Sequence, residues 1–183
     1  MKFIGLIATL AVFFGIGAWL WSYGDNEATK IPQAYQIMDK LENEGVFGQG
    51  LEFKKLEGDG VVKVDEFKDK VVIFSFWATW CAPCVDEFPS LITLLDKFPD
   101  KVVLLAISHD DKAKDVKDFV NAFEGWRPNM HVVFDEKSKV SQSMGVGLLP
   151  EGYIFDKKGK LVKKIVGIQD WASPSALKYF EGM

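Results

Sequence analysis

VVIFSFWATWCAPC, residues 71–84, decides how the rest of the chain is read. Val71 to Trp77 is an apolar run interrupted only by Ser75, the pattern of a central strand buried on both faces. A helix is predicted from Cys81 to about Phe98, with Phe88, Leu91, Leu94 and Leu95 on its inner face. The chain's two cysteines stand where strand becomes helix, three residues apart. Cys81 falls at the helix N-terminus, where unpaired backbone amides and the helix dipole favour a thiolate. Its pKa is expected below the free-thiol value of about 8.5. Cys84 lies one turn on, on the same face, placed to attack a mixed disulfide formed at Cys81. Pro83 suits a first helical turn. The alternative is an inert structural disulfide, against which the strand–CxxC–helix context argues.

Outward from this segment, Lys101 to Ser108 predicts a second buried strand. Ala113, Val116, Val120 and Phe123 mark a helix that Gly125 ends, and His131 to Phe134 predicts a strand. A short helix over Ser138–Met144 precedes a hairpin of Gly152–Asp156 and Leu161–Gly167. Pro174 to about Phe180 forms the last helix. Upstream, Val61 to Val64 predicts a short strand after a turn around Gly58, Asp59 and Gly60. Strand and helix alternate, which predicts an α/β sheet covered on both faces.

Phe3 to Trp21 is a run without charge, about as long as the roughly 20 residues needed to span a bilayer. Lys2 precedes it and Asp25 and Glu27 follow, so the positive-inside tendency places the remainder outside the cytoplasm. Residues 1–24 are therefore expected to be a transmembrane signal-anchor. A cleaved signal peptide competes, but bulky Trp19, Leu20 and Trp21 suit a membrane interface better than a cleavage site. Residues 25–49 hold a linker and a short amphipathic helix built on Ile31, Ala34, Tyr35, Met38 and Leu41, and residues 50–183 the folded domain.

Composition removes several function classes. The 183 residues are 48% apolar with a net charge of −4 and no basic block, which gives a nucleic-acid partner no electrostatic support. Two cysteines are too few for a disulfide scaffold. They and two histidines, His109 and His131, without ligand spacing do not make a structural zinc site. His109 reads as a solvated loop residue and His131 as structural. Phe74, Trp77, Trp126 and Trp171 read as packing residues, and Lys157, Lys158 and Lys160 as a solvated turn.

FWATWCAPC, KVVLLAIS and SMGVGLLPEGYIFDKKGKLVKKIVG together resemble the TlpA/ResA-like branch of the thioredoxin superfamily, which includes the DsbE/CcmG proteins of cytochrome c maturation. The resemblance covers about residues 50–180. It implies a thioredoxin-like fold, a central mixed sheet flanked by helices, and a thiol–disulfide oxidoreductase on the periplasmic side of the inner membrane. It makes Cys81 the attacking and Cys84 the resolving cysteine, with Trp80 as the aromatic before the first and Pro150 as the cis-proline against the dithiol. No cofactor is implied beyond the redox-active disulfide Cys81–Cys84. The implied partners are thiols and disulfides of exported proteins, apocytochrome c among them, and a membrane thiol transporter as electron donor. A general disulfide oxidase or isomerase is the rival reading. A thiol peroxidase is a weaker one, since no separate peroxidatic cysteine exists.

Two positions separate the chain from thioredoxin itself. Ser75 stands where thioredoxin has a buried Asp, and Glu87 occupies the position where the TlpA/ResA-like branch has a Glu. Glu87 lies three residues past Cys84, and apolar Phe88 and Leu91 turn that side of the helix toward the sheet. Desolvation there is expected to raise its pKa above about 4.3 and suit it to exchange a proton with Cys84. The alternative is a solvated acid near a helix N-terminus. Leu148 and Leu149 before the proline, and Glu151 after it, depart from the usual loop.

Overall fold

The computed structural model describes residues 51–56 and 60–183. The expected anchor, linker and amphipathic helix, with most of the turn at 58–60, lie outside the described residues. Among the described residues seven strands and four α-helices follow one another: β1 (Glu52–Lys55), β2 (Val61–Lys63), β3 (Val71–Trp77), α1 (Ala82–Lys97), β4 (Val102–Ser108), α2 (Ala113–Ala122), β5 (Met130–Phe134), α3 (Lys139–Ser143), β6 (Glu151–Phe155), β7 (Leu161–Val166) and α4 (Pro174–Glu181). They build one mixed sheet in the order β2-β1-β5-β4-β3-β6-β7. β3, β4 and β5 run parallel, and every other pairing is antiparallel.

β3 and β4 occupy the middle and are buried at every position, so they carry unbroken apolar runs. The two faces of β3 divide its side chains. Val71, Ile73 and Trp77 join Phe88, Leu91, Leu94 and Leu95 of α1, Val116 of α2 and Phe180 of α4 in one core. Val72, Phe74 and Phe76 join Phe53, Val133, Met144, Tyr153 and Phe155 in the other. Three helices thus share the first face, while α3 and a 3-10 turn at Val64–Phe67 serve the second.

β1 has no counterpart in the sequence reading. Phe53 is its only buried residue among Glu52, Lys54 and Lys55, and one residue shows no period. α2 stops earlier than Gly125. The Phe123 amide still bonds Phe119 (3.0 Å), and the chain then turns so that Phe123 and Trp126 pack with Phe88, at centroid distances of 5.6 and 5.9 Å. Among the described residues no helix is long and apolar enough to cross a membrane.

Candidate active site

β3 delivers the chain into a tight turn at Ala78–Trp80, and Cys81 is the N-cap of α1. The amides of Cys84 and Val85 both donate to the Cys81 carbonyl, at 3.0 and 3.2 Å. Cys81 and Cys84 form a disulfide with their Cα atoms 5.3 Å apart, 6% and 2% exposed respectively. Trp80 beside them is 68% exposed. Trp80, Cys81, Ala82, Pro83, His109 and Val146–Leu149 line a groove of about 560 Å³.

The turn before Cys81 hangs on Asp110, a buried residue that no sequence motif marks. Its carboxylate accepts from the Thr79 amide (3.0 Å), the Thr79 hydroxyl (2.6 Å) and the Ser108 hydroxyl (2.8 Å). Three donors satisfy the buried acid and tie the CxxC loop to the end of β4. The spacing of 31 residues between Thr79 and Asp110 leaves no local signal for this.

His109 is not the solvated loop residue expected. It is half-buried, its amide donates to the Trp77 carbonyl at 2.7 Å, and its side chain lines the groove beside Cys81. Nδ1 is buried without a hydrogen-bond partner among the described residues. His131, on β5, packs against the Phe67 ring at 4.9 Å, and burial holds its pKa below the usual imidazole value. Among the described residues no group of three His, Cys, Asp or Glu side chains gathers to hold a metal ion.

Glu87 sits one helical turn past Cys84 and is 4% exposed. Its Oε1 accepts from the indole N–H of Trp171 and, at 3.1 Å, from the amide of Gln169. Burial pushes its pKa up from 4.5 to about 7, while these two donors pull the other way. Trp171, read from the sequence as packing alone, therefore also holds an acid. The isolated position of Trp171, 84 residues from Glu87, hides that partnership from any pattern search.

The Leu149–Pro150 peptide is cis, and the Pro150 carbonyl accepts from the Gly167 amide at 2.9 Å. Glu151, the next residue, pairs with Phe76 of β3 and Val166 of β7, which sets Pro150 beside the strand end that leads to the dithiol. Glu151 is 3% exposed. It binds Lys164 Nζ at 2.7 Å, takes the Tyr153 hydroxyl and meets the Gly147 amide at 3.4 Å. Burial, then the hydrogen bond to Glu151, holds the Tyr153 phenol well above its ordinary pKa. Leu148, at the lip of the groove, is 65% exposed.

Known proteins are similar to this chain. The thiol-disulfide oxidoreductase ResA of Bacillus anthracis is 38% identical over 120 residues, 65% of this chain and 64% of that protein. The chain thus spans less than two thirds of that relative's length. The thioredoxin-like protein YneN of Bacillus subtilis (strain 168) is 30% identical over 136 residues, 73% of this chain and 79% of that protein. The fold is that of the exposed lipoprotein thioredoxin Etrx1 from Streptococcus pneumoniae, with a TM-score of 0.61 at 24% identity over 73% of this chain and 98% of that one. A DsbF homologue from Corynebacterium diphtheriae superposes with a TM-score of 0.63 at 23% identity, over 78% and 89% of the two chains. The model of the AhpC/TSA family matches residues 49–164, more than half of the sequence, and the chain belongs to that family.

Proposed function

We propose that the chain is an extracytoplasmic thiol–disulfide oxidoreductase that reduces disulfides in exported proteins. The observation that supports this best is the Cys81–Cys84 disulfide at the first turn of α1, nearly closed to solvent yet opening on an apolar groove, with a near-neutral acid one turn away. In the reduced form, the Cys81 thiolate attacks one sulfur of a partner disulfide. A mixed disulfide forms and the partner's other sulfur leaves as thiolate. Cys84 gives its proton to the Glu87 carboxylate, attacks the Cys81 sulfur and expels the partner's second thiolate. Two electrons pass to the partner and Cys81–Cys84 is left oxidised. A membrane thiol transporter then returns it to the dithiol.

Trp80 and Leu148 line the groove where the partner segment docks, and Pro150 follows its Leu148–Leu149 wall. Residues 3–21 hold the protein in the inner membrane as a single-pass anchor, with the catalytic domain on the periplasmic side. Apocytochrome c is the favoured substrate, because the ResA relatives and the DsbE/CcmG resemblance point to that branch. The rival reading, a general disulfide oxidase or isomerase, differs in potential. Within this fold potentials run from about −270 mV for thioredoxin to about −120 mV for DsbA.

Two measurements test the proposal. The Cys81–Cys84 couple should titrate near or below about −250 mV, whereas a value near −120 mV makes the protein an oxidase. Cys84→Ser should accumulate mixed disulfides through Cys81, and Cys81→Ser should trap nothing. The reverse trapping pattern inverts the two roles.

A further inference from the structure

Beside Glu87 the chain makes an unusual fold-back. After β7, the segment Gln169–Trp171 crosses to α1 and fastens to it at two residues. The Gln169 amide and the Trp171 indole N–H donate to Glu87 Oε1, and the Trp171 amide donates to the Ser90 hydroxyl at 3.2 Å. That hydroxyl in turn donates to the Glu87 carbonyl at 2.9 Å. Trp171 is buried in the same apolar cluster as Cys81 and Cys84. Room for the indole comes from Gly152 on β6, where an added Cβ would stand 3.3 Å from two ring carbons.

Both donors on Glu87 converge on one carboxyl oxygen, and neither reaches Oε2. An oxygen already accepting two N–H bonds is a poor site for a proton, since protonation there would displace at least one of them and weaken the other. We propose that Trp171 is a positioning residue for this site, whose indole N–H, with the Gln169 amide, holds Oε1 of Glu87 and leaves Oε2 as the oxygen that takes and returns the dithiol's proton. This rests on the reading of Glu87 as the proton partner of Cys84.

Among the described residues the indole is the group that most opposes the effect of burial on Glu87. On its own helix Glu87 follows Cys84 by one turn, and its neighbour Asp86 is exposed. The loop brings Asp170, also exposed, and β3 and β6 bring Ser75 and Gly152, which carry no charge. Burial raises the Glu87 pKa and the Trp171 bond is the largest influence opposing it. Removing that bond should therefore move the acid's titration upward.

The test is to follow the Glu87 carboxyl by ¹³C NMR in the full-length chain in detergent. Trp171→Phe keeps an aromatic ring and deletes the N–H, and its midpoint should rise by about one pH unit, the worth of one hydrogen bond. Gly152→Ala keeps the N–H but pushes the ring, and should raise the midpoint by less. Superimposable carboxyl titrations in wild type and a folded Trp171→Phe overturn the proposal. If Trp171→Phe does not fold, Gly152→Ala decides by the same readout, an unmoved midpoint overturning it. The exchange rate judges the parent reading separately. Glu87→Gln should remove the pH dependence that Trp171→Phe shifts, and an unchanged Glu87→Gln profile would sink the proton-partner role whatever the carboxyl titration shows.

Discussion

Glu87 and Glu151 are buried to almost the same degree, 4% and 3% exposed, on opposite faces of one sheet and on either side of the dithiol end. Their company differs. Glu87 is met only by neutral donors, an indole and an amide, and so nothing offsets the loss of solvation except hydrogen bonds. Its proton affinity rises until it titrates near neutrality. Glu151 has the Lys164 ammonium at 2.7 Å, a cation that leans over the Tyr153 ring at 5.1 Å and completes the pair. One acid titrates near neutrality, as the proposed proton exchange requires, and the other ties strands and a loop together. Burial alone makes neither role; the charge of the nearest donor does.

Four substitutions would break or sharpen that contrast. The largest effect belongs to Glu151→Ala, which leaves Lys164 and the Tyr153 hydroxyl without their acceptor and opens a cavity behind the groove. We expect a loss of about 3 kcal/mol by urea denaturation, with the Glu87 titration unmoved. A shifted Glu87 titration would mean that the two acids are coupled through the sheet.

Glu87→Gln comes next, and its effect on stability depends on pH. The acid's pKa is near 4.5 unfolded and about 7 folded, so the folded state holds the proton more tightly. The stability this confers is fully present below pH 4.5 and is lost as pH rises through about 7. The wild type should therefore lose roughly 3 kcal/mol between pH 4 and 8 that Glu87→Gln does not lose. Parallel stability curves for the two proteins across that range would return Glu87 to the role of an ordinary acid.

Lys164→Met removes the cation but keeps the methylene stem over Tyr153. The buried Glu151 keeps the Tyr153 hydroxyl and the Gly147 amide as donors, so the expected cost is about 2 kcal/mol rather than the full penalty of a buried orphan charge. An unchanged denaturation midpoint would show that the hydroxyl of Tyr153 alone suffices for Glu151. The smallest effect on the fold is expected from Trp80→Ala. Its ring is 68% exposed, so stability should stay within about 0.5 kcal/mol, while KM for a protein disulfide substrate rises and kcat changes less.

Where the sequence was legible, one residue type repeated at a fixed period or a motif stood in local context. β3 and β4 read as buried strands because every position in them is buried, and α1 because its inner face recurs every three or four residues. The CxxC and its helix start were legible for the same reason. What stayed hidden depends on partners far apart in the chain. Asp110 reaches back 31 residues to Thr79, and Trp171 reaches back 84 to Glu87. The Glu151–Lys164 pair was closer to hand. The hairpin was predicted, and its register sets Lys164 opposite Tyr153, one diagonal step from Glu151. Reading charges across the predicted hairpin, rather than along it, would have found this pair.

Lys164 has a second consequence, for life in a crowded compartment. Among the described residues β7 is the last strand of the sheet, and the outer backbone row of such an edge strand is a template for any other extended chain. Its sequence LVKKIV would be an adhesive template if the two central residues were apolar, since Val162 and Val166 are already exposed. Lys163 and Lys164 put two like charges in the middle of that edge, and a copy approaching in the same way would bring its own to meet them. The side chain that neutralises a buried acid inward thus also discourages sheet-to-sheet aggregation outward, and Lys164→Met should be more prone to form β-rich assemblies than its loss of stability alone accounts for.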